Sequence, residues 1–313
     1  MPPLPEPISH TVDAIWKAYE KHVHGGDSLG VAISQVAEEC QRKLFYIFRW
    51  AVQPEPITSQ KKRRFETGNR EEKRLLDNLA DAGIKVRSVD PETGKQWRVD
   101  LVDGWLRGKL DAIATGVPEA SKAEHVVETK AMNEKRFNDL KKKKLELGNP
   151  SHYAQCQLYM HATGIQRCLY VATNTNDDNI YAERIKYNRS FAERMENRVR
   201  RVVNIDVAPP KLFNNPDDRA AYACQWCVAK PQCHERQFAR ENCRTCIEIS
   251  FRPGAVAYCG FWKKELTYDE QQAGCASHIF LPSLVPGTQI DADEETRTVT
   301  YKMPSGETWV DGG

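Results

Sequence analysis

The chain has 313 residues, of which 40% are hydrophobic and 28% are charged, so it is long enough to bury a sizeable core and has the composition of an ordinary soluble protein. Its formal net charge of +2 excludes a strongly basic or acidic protein, and overall charge therefore identifies no partner. No stretch resembles a membrane span, and the first residues lack the layout of a signal peptide. We expect a cytoplasmic protein, of a bacterium or a phage-infected host cell, with no membrane partner.

The amino-terminal part of the sequence predicts two helices. Residues 1–9 are proline-rich and are expected to be unstructured, and a short amphipathic helix is predicted over residues 10–24. A stronger helix is predicted over residues 34–50, with Ser34 as its N-cap and Cys40 in its middle. A lone helical cysteine is usually a small buried hydrophobe, so the meaning of Cys40 depends on the rest of the chain.

A third helix is predicted over residues 61–83 and contains the pattern G-x3-E, formed by Gly68 and Glu72. Glycine inside a helix costs about 1 kcal/mol relative to alanine, so Gly68 is predicted to allow close approach of another backbone or of a substrate. Glu72 is a candidate metal ligand. The alternative is that Glu72 is one of several charged residues on an exposed helix.

Two strand-like segments follow, GKLDAIATG at 108–116 and HVVETKA at 125–131. The first carries Asp111, and the second carries Glu128 and Lys130, which share one face of the strand because side chains alternate. Two carboxylates and an ammonium group suit a Mg²⁺ or Mn²⁺ site for phosphodiester hydrolysis. The alternative is a solvated hairpin face, since E-x-K alone is a common pattern.

Helices are then predicted over residues 134–147 and 151–164. The second carries Gln155 and Tyr159, which lie four residues apart on one face and can both hydrogen-bond a phosphate or a metal's water. Two further strands at 167–173 and 179–186 and a helix at 189–203 complete the pattern. This order predicts an α/β (α+β) fold with a mixed central sheet flanked by helices.

Ten cysteines in a reducing compartment indicate metal ligands or buried thiols, and seven of them fall in the last third of the chain. Cys224, Cys227 and Cys233 have the spacing C-x2-C-x5-C. They are one ligand short of the four that zinc or an iron–sulfur cluster requires. His234 is the local candidate for the fourth ligand and Cys40 is the distant one.

A second set of five candidate ligands lies close to the carboxyl end of the sequence. Its members are Cys243, Cys246, Cys259, Cys275 and His278. The spacing predicts a small zinc-ribbon-like module with a structural Zn²⁺, which needs only four ligands. We favour the four cysteines with His278 beside them, although Cys275 and His278 could exchange roles.

In order along the chain, Gly68-x3-Glu72, Asp111, Glu128-x-Lys130 and Gln155-x3-Tyr159 resemble the motifs of the PD-(D/E)XK nuclease superfamily, and Q-x3-Y resembles its RecB-like branch. The segments ISQVAEECQRKLFY and CQWCVAKPQCHE resemble the lone and triple cysteine ligands of its iron–sulfur members, the AddB-type and CRISPR-adaptation exonucleases with their phage-borne relatives. Glu72 is a departure, because many RecB-like members have histidine there.

The resemblance implies a restriction-endonuclease-like core and a role for each residue. Glu72, Asp111 and Glu128 would bind Mg²⁺ or Mn²⁺, and Lys130 would position the attacking water. Gln155 and Tyr159 would hold the DNA strand or the waters of the metal. The resemblance also implies that a [4Fe-4S] cluster is bound by the cysteines Cys40, Cys224, Cys227 and Cys233.

The resulting division of the chain is an N-terminal extension at 1–30, a nuclease domain with an iron–sulfur cluster at 31–240 and a zinc-ribbon-like module at 241–313. The expected function is a metal-dependent DNA exonuclease in recombination, repair or phage DNA processing. Its partners would be single-stranded DNA or duplex ends, with recombination or replication proteins as further candidates and oligomerisation left open. The competing hypotheses are a non-catalytic DNA-binding recombination accessory protein and a zinc-stabilised interaction protein.

Overall fold

The computed structural model describes residues 10–21, 27–54 and 56–313. The α-helices are α1 (His10–Glu20), α2 (Gln41–Phe48), α3 (Ser59–Asp81), α4 (Glu134–Gly148), α5 (Pro150–Thr163), α6 (Arg189–Asn204), α7 (Tyr222–Gln225), α8 (Lys230–His234) and α9 (Tyr268–Ala273). Short 3-10 helices lie at Ile33–Gln35, Val102–Gly104, Pro118–Ala120, Cys243–Thr245 and Pro282–Leu284.

The strands form four sheets. They are β1 (Val31–Ala32), β2 (Lys85–Arg87), β3 (Arg98–Leu101), β4 (Leu106–Lys109), β5 (Ala112–Thr115), β6 (His125–Met132), β7 (Arg167–Asn174), β8 (Ile180–Lys186), β9 (Ile249–Arg252), β10 (Val256–Cys259), β11 (Lys264–Leu266), β12 (Thr288–Asp293), β13 (Thr298–Lys302) and β14 (Thr308–Gly312). The largest sheet has the order β2-β5-β6-β7-β8, and the smaller ones have the orders β1-β4-β3, β11-β10-β9 and β12-β13-β14.

The five-stranded sheet is mixed, since β6 and β7 are parallel while the other neighbours are antiparallel. Helix α3 covers one face, where Leu75 packs with Val127 and Val171 in a small apolar cluster. Helix α5 packs against the opposite side, and its Cys156 lies in the main core with Tyr170 of β7. The predicted mixed α/β fold, with a mixed central sheet flanked by helices, is confirmed.

The segment 108–116 does not form the single strand that its sequence predicts. Leu110 still donates its backbone N–H to the carbonyl of Trp97 at 3.1 Å, which continues the β3–β4 ladder. The next residue, Asp111, leaves that ladder, and β5 then joins the central sheet beside β6. The change of sheet therefore places Asp111 at the junction of two sheets.

The helix predicted to start at Ser34 is wrong, because α2 begins only after Cys40. The Sγ atom of Cys40 caps α2 by accepting the N–H of Lys43 at 3.4 Å. Upstream, β1 pairs with β4, and the guanidinium of Arg198 binds the carbonyl oxygens of residues 38–39. These tertiary bonds engage backbone groups that a longer helix would need, so the local helix preference is overridden.

The other predicted elements appear within a few residues of their expected ends. Helix α1 ends at Glu20, and the predictions for residues 1–9 and 22–24 lie outside the described residues. Helix α3 is capped by Thr58, whose Oγ1 accepts an N–H at 3.2 Å, and Gly83 follows it with a left-handed φ of 83°. None of the helices among the described residues combines the length and apolar character needed to cross a membrane.

One apolar core joins the central sheet to the carboxyl-terminal residues. Phe48 and Trp105 pack edge-on, with ring centroids 5.7 Å apart, and both contact Phe251 of β9. The fully buried guanidinium of Arg244 lies 4.0 Å from the ring centroid of Trp50 and donates to the carbonyl of Phe48. The division of the chain at residue 240 stays a prediction, but the core crosses this position.

Candidate active site

Glu128 and Lys130 project from the same face of β6, as their spacing predicts. The side chain of Glu128 has no exposed area, and its Oε1 accepts a hydrogen bond from Nζ of Lys130. No described residue provides a hydrogen-bond partner for the second oxygen, Oε2, which is buried. Burial raises the pKa of Glu128 to about 8, with Lys130 opposing the rise. Burial disfavours the ammonium of Lys130, but Glu128 and Asp111 outweigh it and raise the Lys130 pKa.

Asp111 lies next to Ala112, which is paired with Val127, so it faces Glu128 across the antiparallel pair. Its Oδ2 accepts two hydrogen bonds from Thr129, one from the backbone N–H at 2.7 Å and one from the hydroxyl at 2.8 Å. Thr129 therefore fixes the Asp111 carboxylate at the sheet junction. This role of Thr129 was not predicted, because it depends on a contact between residues 18 positions apart in the sequence.

Glu72 reaches the same region from α3. Burial raises its pKa, the charge of Asp111 adds to the rise and Lys130 opposes it, so Glu72 lies within electrostatic range of both. Gly68, one turn earlier, has no heavy atom within 4 Å of the position that a Cβ would take. The prediction that Gly68 allows close approach of another backbone is therefore wrong. The alternative, that Gly68 leaves room for a substrate, stays a prediction.

Gln155 and Tyr159 lie on one face of α5 and bond to each other, with Nε2 of Gln155 donating to the Tyr159 hydroxyl at 3.0 Å. Both are almost fully buried, and burial followed by the charge of Glu128 raises the pKa of Tyr159. A Cβ at Gly108 would lie 2.6 Å from Cε1 of Tyr159, so only glycine lets β4 pass this close to the ring. The structure thus brings the Q-x3-Y pair to the acidic residues.

His152 and Tyr170 belong to the same neighbourhood and were missed by the sequence analysis. Tyr170 is paired with Glu128 in the parallel register of β6 and β7, and its hydroxyl lies 2.8 Å from Nδ1 of His152. Burial, followed by the charges of Lys130 and Arg136, lowers the pKa of His152 to about 3. The imidazole is therefore neutral at physiological pH. Its position one helical turn before Gln155 was the signal in the sequence.

The predicted metal centres are not assembled as coordination spheres. Within residues 10–21, 27–54 and 56–313, no three or more His, Cys, Asp or Glu side chains form a group that could hold a metal ion. In this conformation the ammonium of Lys130 is bonded to Glu128, so one of the carboxylate oxygens that would suit a metal is engaged. Metal binding is therefore a proposal that rests on the chemistry of the donor atoms.

Basic residues cluster at 61–64, 141–144 and 198–201, and these three runs have different surroundings. Lys62 is buried and donates to the carbonyl of Tyr19, so it holds α1 on α3. Arg200 pairs with Asp103 and Glu196 on the surface of α6. The run at 141–144 on α4 is fully exposed. Of the three runs, only 141–144 has every residue exposed to solvent, as contact with DNA phosphates requires.

The structure brings Cys40 to the three cysteines near residue 230. Burial raises the pKa of each of these three thiols, and the charge of the nearby Cys40 adds to the rise. They are Cys224, Cys227 and Cys233. Burial lowers the pKa of His234, and the charges of Lys211, Arg42 and Lys230 lower it further, which shows that this imidazole faces cationic groups.

The second cysteine set lines one cavity of about 240 Å³ in the carboxyl-terminal part. Burial raises the pKa of Cys243 to about 11, followed by the charges of Cys275, Cys246 and Cys259. Backbone N–H groups point at two of the sulfurs, from Glu248 to Cys246 at 3.5 Å and from Trp262 to Cys259 at 3.4 Å. His278 also lines the cavity, but its Nε2 lies 3.2 Å from the hydroxyl of Thr245.

The neighbours of this fold among solved structures include exonucleases. One is an alkaline exonuclease, LHK-Exo from Laribacter hongkongensis, with 16% identity and a TM-score of 0.41 over 61% of this chain and 90% of that one. The same protein in complex with dAMP gives a TM-score of 0.40. Another is a phage-related exonuclease from Haemophilus somnus 129PT, with 13% identity and a TM-score of 0.37 over 55% of this chain and 91% of that one.

No protein-family model and no curated protein matches the sequence. The identities to the solved structures are below 25% and the TM-scores are below 0.5. The activity of this chain is therefore inferred from its own residues.

Proposed function

We propose that the protein is a metal-dependent DNA exonuclease that hydrolyses phosphodiester bonds in recombination, repair or phage DNA processing. The observation that carries the proposal is the second carboxylate oxygen of Glu128. It is buried, no described residue bonds it, and it lies within electrostatic range of Asp111 and Glu72. Leaving a buried acceptor unpaired is costly unless it has a ligand, and carboxylate oxygens are what Mg²⁺ and Mn²⁺ prefer.

Each residue of the candidate site has its own role in the proposed reaction. Asp111, Glu128 and Glu72 would hold the ion, which would supply a water of lowered pKa and offset charge on the phosphate. Thr129 keeps Asp111 in place through two hydrogen bonds to Oδ2, so Oδ1 is the oxygen that would be offered to an ion. Lys130 would orient the attacking water and stabilise negative charge on the phosphate oxygens.

Around this centre the buried pair on α5 forms one wall. Gln155 and Tyr159 already bond to each other, so their remaining hydrogen-bonding capacity is directed at the substrate strand or at the ion's waters. The neutral imidazole of His152 holds the Tyr170 hydroxyl beside Glu128 without adding a second positive charge to that of Lys130. Single-stranded DNA or a duplex end is the proposed substrate.

We also propose a [4Fe-4S] cluster bound by Cys40, Cys224, Cys227 and Cys233. The support is that Cys40 lies within electrostatic range of all three other thiols. A cluster binds each thiolate to a different iron, so its ligands need not converge on one point as they do around a single ion.

For the second set we propose a structural Zn²⁺ bound by Cys243, Cys246, Cys259 and Cys275. The four thiols line a common cavity, and backbone N–H groups already point at the sulfurs of Cys246 and Cys259. His278 remains beside the site, because its Nε2 contacts Thr245. A closed four-thiolate site is structural and leaves no open position for catalysis.

The nuclease proposal is tested on DNA labelled at either end, single-stranded or duplex, with Mn²⁺, Mg²⁺ or EDTA. We expect stepwise shortening that EDTA abolishes. Asp111→Asn should lower the rate roughly 100-fold or more, since it removes an ion ligand. The matched control is Asp81→Asn, an exposed aspartate at the end of α3, which should keep full activity.

Unfolding temperatures of both variants must match the wild type for the comparison to hold. Full activity of Asp111→Asn, or cleavage that persists in EDTA, would overturn the proposed mechanism. DNA binding by the wild type without any cleavage under all metal conditions would favour the non-catalytic DNA-binding protein instead.

A further inference from the structure

The hairpin of β3 and β4 has two chemically different faces. Its inner face carries Val99 and Leu106, which are buried, and Gly108, which lies under the ring of Tyr159. Its outer face carries Arg98 and Lys109, both exposed, and they are directly paired across the strands. The paired strands therefore hold two cationic side chains side by side.

This pairing of like charges is unfavourable for the hairpin itself, because equal charges directly opposite each other on neighbouring strands repel. The same face also carries the carboxylate of Asp100, but it pairs with Arg107, whose Nε lies 3.5 Å from Oδ1 of Asp100. Within the described part of the chain, neither Arg98 nor Lys109 takes part in an ion pair. The folded hairpin therefore holds Arg98 and Lys109 side by side, and a bound anion would offset their mutual repulsion.

The position of this pair relative to the candidate active site is fixed by the backbone. Lys109 precedes Asp111 by two residues, about 6.6 Å along an extended chain. The contact between Gly108 and Tyr159 holds the strand against α5, and Gln96 donates to the carbonyl of Leu110 at 3.2 Å. The outer face also forms a shallow groove of about 390 Å³ that includes both cationic residues.

We propose that Arg98 and Lys109 together bind a backbone phosphate of the DNA strand whose neighbouring phosphate reaches the acidic residues. The inference rests on the proposed nuclease function and adds a substrate-binding subsite to it. A guanidinium can hold two phosphate oxygens at once, and the adjacent ammonium supplies a further charge. A bound phosphate offsets the repulsion between the two cations. This relief adds to the direct attraction between each cation and the phosphate.

The proposed subsite contacts the phosphate backbone of the DNA and not its bases. Contacts of arginine and lysine with phosphates fix the register of a strand but carry no sequence information. We therefore expect binding that is independent of sequence and strongly dependent on salt, since each neutralised phosphate releases condensed counterions.

The test measures binding of a fluorescein-labelled single-stranded oligonucleotide by anisotropy over a range of salt concentrations. The protein carries Asp111→Asn so that the DNA is not degraded. Arg98→Gln and Lys109→Gln should each weaken binding roughly fivefold and reduce the salt slope by up to about 0.7, the value for one neutralised phosphate of a single strand. Lys302→Gln and Arg201→Gln, at exposed sites on β13 and α6, are the matched controls and should bind like the parent.

A second readout separates this role from a structural one. Removing one of two repelling charges should leave the unfolding temperature unchanged or raise it, while binding weakens. Lys109→Arg keeps the charge and should retain the parental salt slope. The subsite is refuted if the Gln variants bind like the parent, if the controls lose as much affinity, or if Lys109→Arg behaves like Lys109→Gln.

The two proposals fail in distinguishable ways. If the parent binds DNA and the wild type degrades it, while both Gln variants keep the parental salt slope, only the phosphate subsite is wrong. If the parent binds no DNA and the wild type degrades none, the proposed nuclease function itself is wrong, and the subsite is wrong with it.

Discussion

Burial and the ammonium of Lys130 act in opposite directions on Glu128, which is more deeply buried than Asp111 or Glu72. Burial disfavours its charged form, while the ammonium of Lys130 stabilises it. The outcome is a carboxyl group with a pKa of about 8 and one unpaired oxygen. A divalent cation would favour the charged form, so metal binding and proton release at this residue are coupled.

This environment predicts a pH dependence for the metal-free protein. The pKa of Glu128 rises from its ordinary value of 4.5 to about 8 on folding, so between these values the folded state binds a proton that the unfolded state releases. Stability should therefore be greatest below about pH 4.5, as far as this group is concerned, and be lost as the pH rises through 8. Glu128→Gln should remove this loss, a difference on the order of 5 kcal/mol.

The measurement is urea unfolding in EDTA between pH 5 and pH 9. Glu265→Gln, at an exposed position on β11, is the control and should follow the wild type. Identical pH profiles for the wild type and Glu128→Gln would show that Glu128 is already ionised throughout this range.

At this scale the sequence could predict which residues share a face, but not which groups hold them. The i, i+2 spacing places Glu128 and Lys130 together, and the i, i+4 spacing does the same for Gln155 and Tyr159. The bonds from Thr129 to Asp111 depend on how two strands meet, since these residues are 18 positions apart. No local pattern contains that information.

At the scale of elements, Gly68 of α3 leads to one prediction about stability and one about DNA degradation. Gly68 lies in the helix interior with open space where a side chain would be, so packing gives no reason for glycine. Gly68→Ala should stabilise the protein by about 1 kcal/mol through helix propensity alone. If a DNA strand passes over this position, the same change should slow DNA degradation.

Asn69→Ala is the matched control for this prediction, because it also replaces a poorer helix former on α3 but at an exposed neighbouring position. It should raise the unfolding temperature and leave the rate of DNA degradation unchanged. Equal nuclease rates for both variants and the wild type would show that the substrate does not approach Gly68.

The helices and strands were predictable where local patterns and tertiary contacts agree. Helix α3 ends just before Gly83, as its sequence indicates, and it begins two residues before the predicted position, at a threonine cap. Helix α2 is the counter-example, since backbone carbonyls before Cys40 are bound by Arg198 from a helix 160 residues away. The break at Asp111 has a similar origin, because the strand partner changes from one sheet to another.

At the scale of the whole molecule, long-range contacts connect the two ends of the chain. Arg244 is buried among aromatic rings and donates to backbone carbonyls of Leu29 and Phe48, about 200 positions earlier in the sequence. Removing such a group leaves buried acceptors without a partner, so this arginine is a structural link between the carboxyl-terminal residues and the central core. Cys40 likewise lies within electrostatic range of Cys224 and Cys233, about 190 positions later in the sequence.

If each cysteine set binds its own metal, the two should be lost independently. Cys40→Ser should release iron and keep zinc, because Cys40 belongs only to the first set. It should also lower the unfolding temperature by on the order of 10 °C, since a metal that binds only the folded chain contributes directly to folding. Cys259→Ser should release zinc and keep iron.

The measurement is metal content by mass spectrometry, together with visible absorption, on protein purified without oxygen. Cys168→Ser is the matched control, because this thiol is buried in the core with Tyr170 and should retain both metals even if packing is perturbed. Iron retained in Cys40→Ser would exclude Cys40 as a ligand and make His234 the remaining candidate. Loss of both metals from either variant would instead show that the two sites fold as one cooperative unit, as expected if the shared core around Phe251 couples them.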